Sequence, residues 1–485
     1  MPDFDFRAPT TSRLALVVAV VTLAALASAC GASNPNFCEG PACDEIDAAV
    51  VIDARPVLCT ATGPDPSCPA ATPVCVSGAC TGLCDADGDC AGRPTAEAEC
   101  HMPSGACVTC DESDVQAPIT TDEDECPGAN NAVCDSVTHT CRGCEDHAEC
   151  FSGVCDAGRC APPAEVIYMS ANGVDGGNNC DNPAAGMGCL TLNFAIGKIT
   201  VTRKYILMAP SATPYAARNN TDRADFNGDT AHVIGYGATV NRSGAGLILD
   251  VHAGSDVTIE GLTVSAGGGS GGTGILVNDS RLELFRATVR DNGGMGIDAS
   301  SNSRLRILRS TLTNNDAGGI LLNTGEFAII NSIITKNGDP GATNFGGVSL
   351  LSTATTNSLE FNTIAENSAT SGTADQVICN NAALTARNNI ISFLPSTTGR
   401  PRISGNCTHT YSLFSPDSAT AGTGNMTITD PAMFMFTADF HIGTGSVAAG
   451  AAQSTNLAGD TLVDIDGHAR MLNGTTVDVG ADEIP

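Results

Sequence analysis

The chain has 485 residues and a formal net charge of −30, with 53 glycines, 24 prolines, 5 tyrosines and no tryptophan. That length can bury a large core, but this composition makes it a core of small aliphatic side chains. The acidity excludes nucleic-acid binding, because no basic groove is offered to a phosphate backbone, and it suits a soluble, self-repelling surface.

The first element is an export signal. Arg7 and Arg13 precede an apolar run of 14 residues, Leu14 to Ala27, too short to cross a bilayer and the right length for the core of a signal peptide. Residues 1–29 are therefore expected to be removed. Ala27-Ser28-Ala29 leads into Cys30, and this stretch resembles a bacterial lipobox. The resemblance implies that Cys30 carries a lipid, that the membrane is a partner, and that the destination is the outer membrane or cell surface of a bacterium. Plain cleavage after Ala29 would make the protein secreted instead.

Cysteine arithmetic agrees with lipidation. Of 23 cysteines, removing Cys30 leaves 22, an even number suited to full pairing in an oxidising compartment. After a tether over residues 30–58, sixteen fall into four tandem groups across residues 59–160: Cys59, Cys68, Cys75 and Cys80; Cys84, Cys90, Cys100 and Cys107; Cys110, Cys126, Cys134 and Cys141; Cys144, Cys150, Cys155 and Cys160. Each group spans 17 to 32 residues, too few for a hydrophobic core, so disulfides must supply the stability. The connectivity stays open. Cys107-Val-Thr-Cys110 and Cys141-Arg-Gly-Cys144 have the spacing of zinc ribbons, but behind an export signal and among so many other cysteines the disulfide reading is preferred.

Two oxygen-rich loops are candidates for calcium. Asp85, Asp87 and Asp89 resemble the start of a calcium loop, although Cys90 replaces the turn glycine and Ala96 the closing glutamate. Asp222, Asp225, Asn227 and Asp229 form the second. Solvated acidic turns explain both equally.

Repetition is the strongest signal. Gly274-Ile-Leu-Val-Asn, Gly296-Ile-Asp-Ala-Ser, Gly319-Ile-Leu-Leu-Asn, Gly347-Val-Ser-Leu-Leu and Gln376-Val-Ile-Cys-Asn step by 22, 23, 28 and 29 residues. Between them lie segments such as Leu282-Glu-Leu-Phe-Arg-Ala-Thr-Val and Leu305-Arg-Ile-Leu-Arg-Ser-Thr-Leu, with Asn292, Asn315, Asn337 and Asn367 at the turns. Apolar and polar residues alternate over lengths too short for helices, so each unit is strand-built and needs its neighbours to cover its apolar face. The expected fold is all-β, a right-handed parallel β-helix preceded by small disulfide-rich modules. Strands stacked about 4.8 Å apart let the turn asparagines bond rung to rung in a ladder. In this register Ile297 lies under Ile320 in the interior, Glu283 under Arg306, and Arg286, Arg309 and Asn331 form one column, while Ser303 falls in the turn between rungs. Phe285, Phe327, Phe361 and Phe393 fall in strand segments and are expected in the core.

Past Ala161-Pro-Pro-Ala164, the segments Ile167-Tyr-Met-Ser-Ala-Asn-Gly-Val-Asp175, Gly188-Cys-Leu-Thr-Leu-Asn-Phe-Ala195 and Tyr205-Ile-Leu-Met-Ala-Pro210 resemble the opening of bacterial β-helix proteins of the pectin-lyase-like superfamily. The resemblance implies an entry strand, a capping helix and the first rungs, with the β-helix over residues 165–430. Asp430-Pro-Ala-Met-Phe, Asp439-Phe-His-Ile-Gly-Thr-Gly-Ser446, Asp464-Ile-Asp-Gly-His-Ala-Arg470 and Val477-Asp-Val-Gly-Ala-Asp-Glu483 are similar to the module called choice-of-anchor Q, assigned here to residues 431–485.

That superfamily hosts lyases, hydrolases, adhesins and spikes, so function has to be read from residues. Lyases of this resemblance set an Arg or Lys base beside carboxylate-bound calcium. Here no carboxylate pair converges on Arg286, Arg309 and Asn331 at equivalent rung positions, and a solvated ladder worth a few tenths of a kcal/mol per pair accounts for the column. It remains a candidate binding face. No tyrosine or tryptophan lies between Gly237 and Thr410, His232, His252, His409, His441 and His468 are scattered, and Cys379 with Cys407, like Cys180 with Cys189, is a disulfide candidate rather than a nucleophile. The sequence therefore points to a cell-surface rod with a structural, adhesive or glycan-binding role, partnered by a glycan or a surface protein. A calcium-dependent polysaccharide lyase is the alternative.

Overall fold

The computed structural model describes scattered residues from 63 to 134 and then residues 140–484, apart from breaks at 185, 219–222, 243, 245, 266–271, 339–344, 371–373, 382, 393–401, 417–420, 456 and 471–475. The signal segment, Cys30, the tether, Asp85, Asp87, Asp89, Asp222 and Phe393 lie outside the described residues. The chain divides into two compact units, Met1–Val108 and Thr109–Pro485.

In the first unit short antiparallel strands are stapled by sulfur. Gly63–Pro64, Val74–Val76 and Ala79–Gly82 form one small sheet and Glu99–His101 pairs with Ala106–Val108. The bonds Cys68–Cys80 and Cys90–Cys107 each stay within one of the cysteine groups.

The described residues of the second unit up to Cys160 follow the same style, with disulfides Cys144–Cys155 and Cys150–Cys160. Cys134 and Cys141 are disulfide-bonded as well. The described cysteines of both zinc-like spacings, Cys107, Cys141 and Cys144, are thus oxidised and unable to hold a metal as thiolates. Val154 and Ala161 of this loop pair pack on Val166, Tyr168, Tyr205 and Ile234, so the last cysteine group is part of the rod's own packing.

From Val166 the chain coils into a solenoid of three parallel sheets with ten, ten and eight strands. Its wall is built from columns one rung apart. Ile259, Leu284, Ile307, Ile329 and Leu359 stack in the first sheet. Val240, Val264, Val289, Leu312, Ile334, Ile364, Ile391 and Phe414 stack in the second. Leu249, Ile275, Ile297, Ile320, Val348 and Val377 stack in the third. A short helix, Leu192–Ile196, buries Leu192, Ala195 and Ile196 and is capped by Thr191, whose hydroxyl accepts the Phe194 N–H at 3.3 Å. Cys180–Cys189 and Cys379–Cys407 cross-link the solenoid region.

The turn asparagines form the expected ladder inside the wall. Asn292 donates to Asn315 at 2.7 Å, Asn315 to Asn337 at 2.7 Å, Asn337 to Asn367 at 2.9 Å, and Asn367 to Gln376 at 2.8 Å. All five are fully buried. The ladder explains the glycines at 274, 296, 319 and 347 in the third sheet: a Cβ on Gly296 would sit 2.7 Å from the Gly319 carbonyl and 2.9 Å from the Asn315 amide. A second ladder, absent from the sequence reading, runs through Ser310, Ser332, Asn362, Asn389 and Ser412.

Three expectations are corrected. Ser303 is fully buried in the strand Ser303–Leu308, where its hydroxyl donates to the Val277 carbonyl at 3.1 Å, because the turn ends one residue earlier at Asn302. Phe285 closes its strand pointing outward, since Leu282 and Leu284 take the inward positions. Phe327 and Phe361 are buried, but Phe361 occupies a corner at φ +54° rather than the strand interior.

Candidate functional site

The outward face of the first sheet is where side chains of different segments meet. Its outward column runs Ile234, Glu260, Phe285, Leu308 and Ile330. Ile234 is covered by the 144–160 loop pair. Leu308 and Ile330 are also buried, beside the stretch of C-terminal segment that bonds to Arg309 and Asn331. Glu260 and Phe285 lie between these two coverings.

Glu260 is the hub of that window. Its carboxylate accepts from His147 Nε2 at 3.1 Å, His232 Nε2 at 2.9 Å and the Tyr236 hydroxyl at 2.7 Å. Burial alone would raise its pKa, but the three hydrogen bonds outweigh it and hold the carboxyl far below the usual range. The same burial and the bond to Glu260 push the Tyr236 hydroxyl up to about 12. The Cys155 N–H donates to His147 Nδ1 at 3.0 Å. That bond fixes the His147 proton on Nε2, so the ring is a donor to Glu260 and not a metal ligand. The arrangement is a clamp: an anion bound by donors from the loop pair and from the solenoid.

Arg286, Arg309 and Asn331 do form one column, and the reason is the backbone. All three turn the corner between the first and second sheets at φ of +51°, +51° and +52°. Their fates differ. Arg309 Nε donates to the Ile465 carbonyl at 3.1 Å, and Asn331 donates to the Asp460 carbonyl while accepting from Arg470 at 3.0 Å. Only Arg286 remains exposed, beside Tyr236 and 5.2 Å from the Phe285 ring centroid. Burial, with Arg286 as a like-charged neighbour, lowers the Arg309 pKa. Glu283 and Arg306 pair at 2.7 Å, and the second arm of Arg306 reaches Asp460.

Asp225, Asn227 and Asp229 are the described residues of the second calcium candidate. Asp225 binds His252 Nε2 at 2.8 Å, and Asp229 accepts the Asn227 N–H at 2.9 Å within its own turn. Asp225, Asp250 and His252 do converge, but Arg223 lies 2.7 Å from Asp250 and 3.8 Å from Asp225. Burial raises the Asp250 pKa in spite of that arginine. Calcium wants six to eight oxygens, and a site whose charge is already balanced by a guanidinium and whose third donor is an imidazole does not fit it.

His147 and Glu260 were missed from the sequence because 113 residues separate them and the contact depends on how the loop pair docks, which no rung period encodes. Only the neighbourhood of Glu260 and Phe285 could have been found, from register.

The fold and this face define a right-handed parallel β-helix with part of one sheet covered. A family model described as the right handed beta helix region matches residues 229–414. Among solved structures the chain is similar to the crystal structure of pectate lyase Pel9A, with a TM-score of 0.34 and 14% identity, covering 66% of this chain and 96% of that one. No curated protein matches the chain.

Proposed function

We propose that the protein is an exported rod, anchored at the outer membrane or cell surface through a lipid on Cys30, whose role is structural, adhesive or glycan-binding. The observation that carries this reading is the occupation of the Arg309 and Asn331 positions by the C-terminal segment. A column closed by backbone carbonyls serves the rod's integrity and leaves no guanidinium pair free to act on a substrate there. The many disulfides support an oxidising compartment. Residues 431–485 are assigned to the choice-of-anchor Q type of module by their sequence resemblance.

A calcium-dependent lyase is the second reading; the parallel β-helix is compatible with it, while the Asp225, Asp250 and His252 cluster, which does not fit calcium, does not speak for it. One experiment separates the readings. Wild-type protein and Cys30→Ser are fractionated, and the released variant is incubated with polysaccharides with and without calcium. Saturable binding without turnover, and loss of membrane association in Cys30→Ser, support the anchored rod. Calcium-dependent appearance of unsaturated sugars overturns it in favour of the lyase, and unchanged fractionation removes the anchor.

A further inference from the structure

The window on the first sheet is a cleft of about 590 Å³, within the range of roughly 300–1,000 Å³ usual for small-ligand sites. Its inner wall is apolar and aromatic, with Pro210, Tyr236 and Phe285, and its outer wall is the loop pair with Glu145 and Asp146. Tyr236 is 38% exposed although it is among the largest side chains of the rod. Its position is not incidental. The hydroxyl is tied to Glu260, and the ring lies against Gly261, where an added Cβ would come 2.6–2.8 Å from three ring atoms. A glycine at φ +65° thus makes room for a tyrosine held with ring surface open to the cleft.

Charge then selects the ligand. Glu260 already accepts three hydrogen bonds from its own neighbours, which leaves at most one acceptor position for a ligand. Glu145 and Asp146 are exposed at the rim and repel uronates and sulfates. A basic peptide, which that rim would attract, meets the Arg286 guanidinium on the opposite wall. What remains is an uncharged ligand with one apolar face and many hydroxyls. We infer that the cleft is a binding site for a neutral sugar, one pyranose ring stacking on Tyr236 with its hydroxyls donating to Glu145 and Asp146 and accepting from Arg286. This rests on the glycan-binding form of the reading above and narrows it from any glycan to an uncharged one, at a place other than the Arg309 column.

The test uses the intact soluble chain, Cys30→Ser, with cellotetraose, mannotetraose and β-1,4-galactotetraose as neutral probes and tetragalacturonate as the acidic one, read by saturation-transfer NMR and titration. At least one neutral probe is expected to bind, to weaken at least about tenfold in Tyr236→Ala, and to bind as it does to wild type in Asn323→Ala, an exposed position outside the cleft lining. Melting curves of both variants confirm that the rod is folded. Three results overturn the inference: no neutral probe binds, tetragalacturonate binds at least as tightly as they do, or neutral binding survives Tyr236→Ala in full. In the last case a glycan-binding rod stands and only the cleft is wrong.

Discussion

Arg470 lies with its guanidinium carbon 4.3 Å from the centroid of the Phe361 ring, and the contact fastens the C-terminal segment to the corner column of the solenoid. The guanidinium is buried and donates to the carbonyls of Gly480 at 2.8 Å and Ala481 at 3.0 Å, to Asn331, and to Glu483 at 3.2 Å. Removing it leaves the buried Glu483 carboxylate without its counter-charge and takes a donor from the Gly480 carbonyl and the Asn331 amide oxygen, which costs about 3–5 kcal/mol. Arg470→Ala should lower the urea midpoint and expose the segment after residue 459 to protease. Arg470→Lys should rescue little, because a point charge cannot replace a planar fork that also stacks on a ring. Full recovery by lysine would show that charge alone holds the segment.

Asn337 is bonded in both directions along the ladder. It donates to the Leu312 carbonyl at 3.0 Å and to Asn367 at 2.9 Å, and its oxygen accepts both the backbone and the side-chain N–H of Asn315. Each buried group left without a partner costs about 1–3 kcal/mol, so Asn337→Ala should destabilise by at least about 3 kcal/mol. Asn323→Ala, on an exposed position of the neighbouring turn, should change stability by no more than about 0.5 kcal/mol. Equal effects of the two in denaturant melts would remove the ladder as a source of stability.

The pairing of Ile297 with Ile320, the ion pair of Glu283 with Arg306 and the asparagine ladder were legible because all three obey the rung period. Alternation says which residues face inward within a strand, and repeat spacing says which lie above one another. It fails at strand ends. Ser303 and Phe285 sit at the first and last positions of their strands, where a shift of one residue exchanges wall for surface. The window escaped for a different reason: His147 and Asp460 reach the first sheet from segments outside the repeat, and no period relates them to Glu260 or Arg306.

Ile320 is fully buried in the third-sheet column, with Ile297 on one side and Val348 on the other. Ile320→Asp places an unpaired charge there and should unfold or aggregate the rod, a loss of several kcal/mol. Ser303→Asp should also be damaging, because its carboxylate would replace a hydroxyl that donates to Val277. Native circular dichroism and melting temperature in purified Ile320→Asp would refute the register of the whole third sheet.

His409 gives the rod an acid limit. It is 1% exposed, its ring meets Phe414 edge-on at 5.8 Å, and neither ring nitrogen has a hydrogen-bond partner. Burial holds the imidazole down at about 4, against an ordinary 6.5. Between those values the unfolded chain takes up a proton that the folded chain refuses, so stability is full above pH 6.5 and falls as the pH drops towards 4. The gap of about 2.5 units corresponds to about 3 kcal/mol. Carboxylates titrate over part of the same range, so the informative quantity is the difference between wild type and His409→Leu, which keeps the site apolar and cannot take a proton. Unfolding free energies measured at pH 7 and pH 4 should show wild type losing about 3 kcal/mol more than the variant. Parallel losses in the two proteins would mean that His409 reaches a partner or solvent in the folded rod and titrates there as freely as in the unfolded chain.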